Sequence, residues 1–368
     1  MLLYIPLKKL NTNRERVLGD LENLYYLSES ILHIEVNDQM LIVDTLNHRE
    51  VKKQIKRYFT QPSTNPTLKQ KVLEDNTMHI PSYHSSFVHS STGAILTGDS
   101  SFLEEAFDRL ICQIAKKHHV VFKHYPSFLS NKSMHVSGYA KCFPQRLYRL
   151  SEIPHEFDIL TQYRKLSQSH QDTNHLFKTT DHFLQPCICY HVYEELASQS
   201  NPELLQLYSA KGRCYRHEHP HRLSPTRLQE FTMREIVFVG SDKDVKNVRM
   251  QLLSDVWDLF EDLGLRGYLT TSNDPFFLHE NQDKKFYQIA DNTKYEIIFS
   301  PNEDIHVSIA SGNHCGTMLC DAFQLNKESP SLFSGCVAFG LDRWVQAFLY
   351  HYGSDKKGWP SLIRNLIV

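Results

Sequence analysis

Arg216 and Glu218 stand two residues apart, a spacing that on a strand turns both side chains to the same side. One can hold a phosphate while the other accepts hydrogen bonds from an adenine amine. The stretch 217–225 that follows is polar and rich in His, Pro and Arg, the composition of a hairpin crossing a bound nucleotide. Arg227 adds another cation, and Phe231, four residues on, offers a ring for a base to stack against. A second cationic motif lies near the end of the chain. Val337, Ala338 and Phe339 read as a buried strand, and Gly340 as a tight turn. A helix then carries Leu341, Val345, Phe348 and Leu349 on one apolar stripe. Arg343 falls in its first turn, where free backbone N–H groups and the helix dipole already favour an anion such as a polyphosphate. Taken singly, Arg-x-Glu is commonly a surface ion pair and Gly-x-x-Arg a common helix start. Together and in this order they read as two halves of one site.

A metal is the second chemistry on offer. Cys189, Glu235 and Cys336 are expected on three strands of one sheet, with 184–193 read as a buried strand and 236–239 continuing the segment that ends at Glu235. Two thiolates and a carboxylate would make a three-ligand zinc site with one open position, the catalytic pattern. Cys187 competes with Cys189 for the first place, and Cys315 and Cys320 with Cys336 for the third. No C-x-x-C pair occurs, and a free cysteine also serves as a small buried hydrophobe.

The elements that must position these groups follow from periodicity. Residues 101–118 carry Phe102, Ala106, Phe107, Leu110, Ile111 and Ile114 at helical spacing, followed by Tyr125-Pro126. Residues 244–263 form a second amphipathic helix, and 294–299 and 305–310 read as strands. Several strands succeed one another without intervening helices, which predicts an α+β fold with an antiparallel sheet rather than a doubly wound parallel one. Residues 1–70 read as a small α+β module, with strands at 31–36 and 40–43, a charged helix at 48–58 and a linker at 61–67. The larger domain takes 71–368. In a chain of 368 residues, 40 Lys and Arg against 42 Asp and Glu leave a net charge of −2, with no bulk positive charge to grip nucleic acid. The eight cysteines are scattered, and the apolar start at 1–7 is too short for a signal or a membrane span. Reduced thiols in the cytoplasm are the expectation.

The two cationic motifs resemble motifs 2 and 3 of the class II aminoacyl-tRNA synthetase catalytic domain, with Ala338 and Asp342 standing where Gly and Glu are commoner. The helix at 101–118 with Tyr125-Pro126 has the form of motif 1, which implies a homodimer. The resemblance implies activation of an amino acid with ATP and magnesium. Arg216 would hold the α-phosphate, Glu218 the adenine amine and Phe231 the ring. Arg343 would bind the γ-phosphate or the other adenine face, and Arg227 would assist at the β- and γ-phosphates. Cys189, Glu235 and Cys336 match in order the zinc ligands of the atypical seryl-tRNA synthetases of methanogens and of the amino acid:[carrier protein] ligases similar to them. The zinc would take the substrate's α-amino group. Residues 138–145 (Gly-Tyr-x-x-Cys-Phe-Pro-Gln) also look like a segment of the carrier-protein ligases. The resemblance covers about residues 75–368.

Only 25 residues follow Arg343, and the N-terminal module has no sustained heptads and no basic run, so no tRNA-reading part is expected. That form points to an amino acid:[carrier protein] ligase. Such an enzyme makes the adenylate of a small amino acid and transfers the acyl group to the phosphopantetheine thiol of a carrier protein. A tRNA-charging synthetase and a non-catalytic regulatory paralogue are the alternatives. Asn313-His314 and Lys294-Tyr295-Glu296 are candidates for the amino acid pocket, and the N-terminal module reads as a structural extension.

Overall fold

The computed structural model of the chain describes residues 1–61, 70–88, 96–199, 205–274, 291–327 and 331–367. Residues 1–59 build a core of their own. Strands β1 (Leu2–Pro6), β2 (Ile31–Val36) and β3 (Met40–Thr45) form an antiparallel sheet in the order β1-β3-β2. Their alternate residues Leu3, Ile5, Ile31, Ile34, Leu41 and Val43 turn inward, as the period of two requires. Against them pack the anticipated helix His48–Phe59, through Val51, Ile55 and Phe59, and a helix that the sequence reading did not anticipate, Arg14–Tyr25. The Asn13 side chain caps the latter, accepting the Arg16 N–H at 2.8 Å. Of the linker expected at 61–67, all but Gln61 lies outside the described residues.

The chain then enters an eight-stranded sheet. Its strands are β4 (Val72–Asp75), β5 (Val121–Lys123), β9 (Gln206–Tyr215), β10 (Glu230–Gly240), β11 (Gly267–Thr271), β12 (Lys294–Phe299), β13 (Val307–Gly316) and β14 (Phe333–Gly340). Strands β6 (Phe128–Ser130), β7 (Arg149–Glu152) and β8 (Lys178–Leu184) make a separate small sheet in the order β6-β8-β7. The large sheet runs β4-β11-β12-β13-β14-β10-β9-β5, antiparallel except for the parallel β5–β9 edge. The α+β architecture expected from the strand succession is the one observed.

Three helices cover one face of the large sheet: Leu103–Lys117, Asp242–Asp262 and Leu341–Tyr352. The anticipated stripe Leu341, Val345, Phe348 and Leu349 is buried in this layer. β10 and β14 alternate strictly. Ile236, Phe238, Val337 and Phe339 join the helix-side core, while Glu235, Val237, Cys336 and Ala338 turn to the other face. Arg234 also takes the helix side, giving Nε and Nη2 to Asp108 at 2.6 and 3.1 Å. Register fixes the rest, because Glu235 pairs with Ala338 and Val237 with Cys336. A one-residue slip would send every one of these side chains to the wrong face.

The stretch 184–193 is not a strand. β8 stops at Leu184, and a helix begins at Cys189 and runs to Leu196. Pro186 lacks the N–H that a ladder needs, and the next free amides find a side-chain acceptor instead. Gly340 begins its helix at φ −81°, an ordinary value, so no special turn is required there.

Candidate nucleotide and metal site

The face of the sheet opposite the three helices opens into a cavity of about 640 Å³. Its floor is β10, β13 and β14, and its walls include the segment 138–143 and the loop after β9. Gly138, at φ +76°, supplies the left-handed residue that starts the short turn Tyr139–Cys142.

Arg216 and Glu218 lie just past the end of β9, which stops at Tyr215, rather than on a strand as expected. They still reach the cavity together. The Arg216 N–H bonds Gln229 O at 2.8 Å, and its side-chain Nε donates to Pro186 O at 3.2 Å. Its guanidinium lies 5.1 Å from the centre of the Phe231 ring. The ring anticipated for base stacking thus supports Arg216 on one side. Arg343 donates Nε to Thr226 O and Nη1 to Ser308 O, both at 2.8 Å. Among the described residues, no carboxylate lies within ion-pair distance of Arg216 or Arg343. Burial, and then the positive charges of Arg227 and Arg216, push the Arg343 guanidinium down to about 10. An anion entering the cavity would relieve that repulsion.

Glu218 is nearly buried, at 4% exposure. Burial opposes its ionisation, but Arg146 and Arg227 outweigh it and hold the carboxyl below its usual range. Its Oε2 accepts Arg227 Nη1 at 3.0 Å and the Tyr26 hydroxyl at 2.6 Å. Sequence reasoning missed Arg146 and Tyr26, and with them Glu22, whose carboxylate meets Arg146 at 2.5 Å and Arg227 at 3.2 Å. Arg146 had a signal, since it follows the quoted 138–145 segment. Glu22 and Tyr26 had none, because a polar helix position reveals no partner two hundred residues away.

On the neighbouring wall, one thiol or carboxylate atom from each of Cys187, Cys189 and Glu235 lies within 4.8 Å of the other two. Cys189 comes from the first turn of a helix rather than from a third strand. The N–H groups of Ile188 and Cys189 donate to the two carboxylate oxygens of Glu235 at 3.1 and 2.9 Å, orienting it. The two sulfurs are 3.5 Å apart. Cys336 is outside that tight set but lines the same cavity, with Asn313 Nδ2 3.5 Å from its sulfur. Contact with Cys187 and burial push the Cys189 thiol well up, and burial then Glu235 do so for Cys336. Burial likewise raises Glu235. Buried acids crowded together fit a cation that would let them ionise. The mix of thiolate and carboxylate suits zinc. Cys315 also lines the cavity, whereas Cys320 is packed in the apolar cluster behind it.

Of the amino acid pocket candidates, Asn313, His314, Lys294 and Glu296 line the cavity. Lys294 is paired with Asp274 at 2.5 Å and Glu296 at 3.2 Å. Tyr295 does not line it. It alternates to the helix side, under the Arg249 guanidinium at 5.0 Å.

Residues 177–352, which contain both cationic motifs and all the thiols just described, match the tRNA synthetase class II core domain (G, H, P, S and T). The chain is 30% identical over 250 residues to amino acid--[acyl-carrier-protein] ligase 1 of Bradyrhizobium diazoefficiens, spanning 66% of this chain and 75% of that protein. It is 26% identical to the type-2 serine--tRNA ligase of Methanococcus aeolicus, over 66% of this chain and 49% of that enzyme. In structure it resembles M. kandleri SerRS, solved with A. aeolicus tRNASec, at a TM-score of 0.72 and 19% identity, covering 93% of this chain and 74% of that one. The antiparallel sheet, the order of its motifs and these likenesses agree, and the chain belongs to the class II aminoacyl-tRNA synthetase-like ligases.

Proposed function

We propose that the protein activates a small amino acid with magnesium-bound ATP and passes it to the phosphopantetheine thiol of a carrier protein. The observation that carries this is the pair Arg216 and Arg343, aimed into one cavity by neutral carbonyls and, among the described residues, without a carboxylate at ion-pair distance. Guanidiniums held this way keep their charge for a polyanion. The amino acid's carboxylate oxygen attacks the α-phosphorus, and the bond from that phosphorus to the bridging oxygen breaks. Pyrophosphate leaves. The carrier thiolate then attacks the acyl carbon, and AMP departs with the C–O electron pair.

In this reading Arg216 neutralises the α-phosphate and Arg343 the γ-phosphate or the adenine face, with Arg227 near the β- and γ-phosphates. Glu218 accepts the adenine amine and Phe231 stacks on the ring. Cys189 and Glu235, with a third ligand from Cys336 or Cys187, would hold zinc, which when bound supplies a Lewis-acid position for the α-amino group. The work is mainly orientation and electrostatic stabilisation. Asn313 and His314, which line the cavity, would sort the small side chain. The carrier-protein acceptor is favoured because the chain is 30% identical to a carrier-protein ligase against 26% to the serine--tRNA ligase of Methanococcus aeolicus, over the same share of this chain. A cytoplasmic homodimer joined through the helix Leu103–Lys117 completes the proposal. No described helix is long and apolar enough to cross a membrane.

The test is amino acid-dependent ATP–pyrophosphate exchange across the twenty amino acids, with zinc quantified on the same sample. Exchange with one or two small amino acids is expected, followed by thioester formation on a phosphopantetheinylated carrier. Charging of tRNA instead would favour the synthetase reading, which the likeness to a tRNA-bound structure over 93% of this chain makes the natural second candidate. No exchange at all would point to the regulatory paralogue.

A further inference from the structure

The N-terminal module does more than extend the fold. The helix Arg14–Tyr25 brings Glu22 and, just past its end, Tyr26 against the loop that follows β9. Glu22 sits among three arginines: Arg146 at 2.5 Å, Arg227 at 3.2 Å and Arg222 at 3.5 Å. The Tyr26 hydroxyl donates to Glu218 Oε2 at 2.6 Å. Tyr25 supports the same loop, with the Arg222 guanidinium 5.5 Å from its ring and the His219 ring 5.6 Å away. None of these module residues falls within the 177–352 match to the synthetase core.

The oxygens of Glu218 are used unequally. Oε2 is saturated by Tyr26 and Arg227, whereas the closest cation to Oε1 in an ion pair is Arg146 Nη2 at 3.9 Å, beyond a hydrogen bond. A carboxylate pinned through one oxygen keeps the other for a ligand amine. Arg227, in turn, spends a single nitrogen, Nη1, on both Glu22 and Glu218. Three arginines packed together would repel one another and splay without anions between them; Glu218 meets Arg227 and Arg146, whereas Glu22 meets all three.

Resting on the nucleotide reading of this cavity, we propose that Glu22 and Tyr26 are positioning residues for ATP. Glu22 gathers Arg146, Arg222 and Arg227, and Tyr26 fixes the Glu218 carboxylate that reads the adenine. They touch the nucleotide only through these partners. The N-terminal module is therefore a working part of the nucleotide site, and the synthetase core without it would bind ATP poorly.

The experiment compares the wild-type chain with Tyr26→Phe, Glu22→Gln and Glu22→Asp. ATP affinity is measured by calorimetry, exchange kinetics give KM and kcat, and urea midpoints are recorded on the same samples. Loss of a hydrogen bond to a charged group predicts a rise in the Kd and KM for ATP of about tenfold in Tyr26→Phe and Glu22→Gln. The KM for the amino acid and kcat change less than twofold, and Glu22→Asp, which keeps the charge, recovers most of the loss. Unchanged ATP affinity in both neutral variants, even with lowered urea midpoints, overturns the inference in favour of a structural dock. Tighter ATP binding in Glu22→Gln also overturns it, since the carboxylate would then be competing with the phosphates. A wild-type chain that binds no ATP at all defeats the nucleotide reading itself and the inference with it, an outcome visible before any variant is made.

Discussion

Arg234 and Arg343 flank the same sheet, one in the middle of β10 and one just past the end of β14, and they are partnered in opposite ways. Arg234 faces the helices, grips Asp108 through two nitrogens and gives a third to Ser209 at 3.0 Å. Its charge is consumed in joining the helix Leu103–Lys117 to the sheet. Arg343 faces the cavity and is oriented by two carbonyl oxygens, as Arg216 is by one. A carbonyl fixes direction without cancelling charge. On the packed side of this sheet, ionic groups are closed pairs that hold layers together. On the open side Glu218 and Lys294 are paired as well, but Arg216 and Arg343 are aimed by carbonyls and, among the described residues, have no carboxylate within ion-pair distance, and burial followed by the charges of Arg227 and Arg216 lowers Arg343.

That contrast can be broken from either side. Arg234→Ala would leave Asp108 with Lys211, at 3.3 Å, as its remaining charged partner among the described residues, and it should cost about 1–3 kcal/mol of stability, read as a lower urea midpoint. Arg343→Ala should leave the midpoint close to wild type while cutting amino acid-dependent exchange by roughly 10²–10³-fold, the scale of losing one preorganised charge-stabilising donor. If Arg343→Ala instead unfolds the chain with exchange per folded molecule intact, the assignment of the third motif is wrong.

On the metal wall, Cys189→Ser should lower bound zinc from about one per chain to a small fraction. Parallel Cys187→Ser and Cys336→Ser variants show which thiol is the remaining ligand, because a bystander keeps its metal. If all three variants retain zinc, the site is elsewhere.

The Glu22 cluster gives a pH test. Burial opposes its ionisation, but Arg146, Arg227 and Arg222 prevail and hold the folded carboxyl down at about 2, against an ordinary 4.5. A depressed folded value means that stabilisation is fully present above the unfolded value and is lost as pH falls toward the folded one. The urea-midpoint gap between wild type and Glu22→Gln should thus be constant near neutrality and close between about pH 4.5 and about pH 2. A gap that widens on acidification would refute the ionic account. The smallest effect belongs to Asn13→Ala, which uncaps the helix bearing Glu22 and should cost about 1 kcal/mol with no change in the KM for ATP.

Much of the frame was legible beforehand. The apolar stripe after Gly340 and the 294–299 strand depend on side-chain spacing alone, and both appear where spacing put them. Failures came where a distant partner decided the local structure. The stretch 184–193 is apolar enough for a strand, yet the Glu235 carboxylate takes the amides of Ile188 and Cys189 and a helix starts there. Tyr295 sits between two residues that line the cavity, and strand alternation sends it to the other face. The helix Arg14–Tyr25 carries Val17, Leu21 and Leu24 at helical spacing, a signal that the sequence reading passed over, and these residues pack against the small sheet.

The sequence by itself determined the α+β class, the order of the two cationic motifs and the set of thiols and carboxylates available to them. These rest on covalent spacing and on the period of each element, which a chain carries before it folds. Tertiary structure alone decided which cysteines crowd Glu235, which carbonyls aim Arg216 and Arg343, and that Glu22 and Tyr26 reach across to Arg146, Arg227 and Glu218. Such contacts join residues far apart in the chain, and they exist only once two separately formed surfaces dock with matching charge.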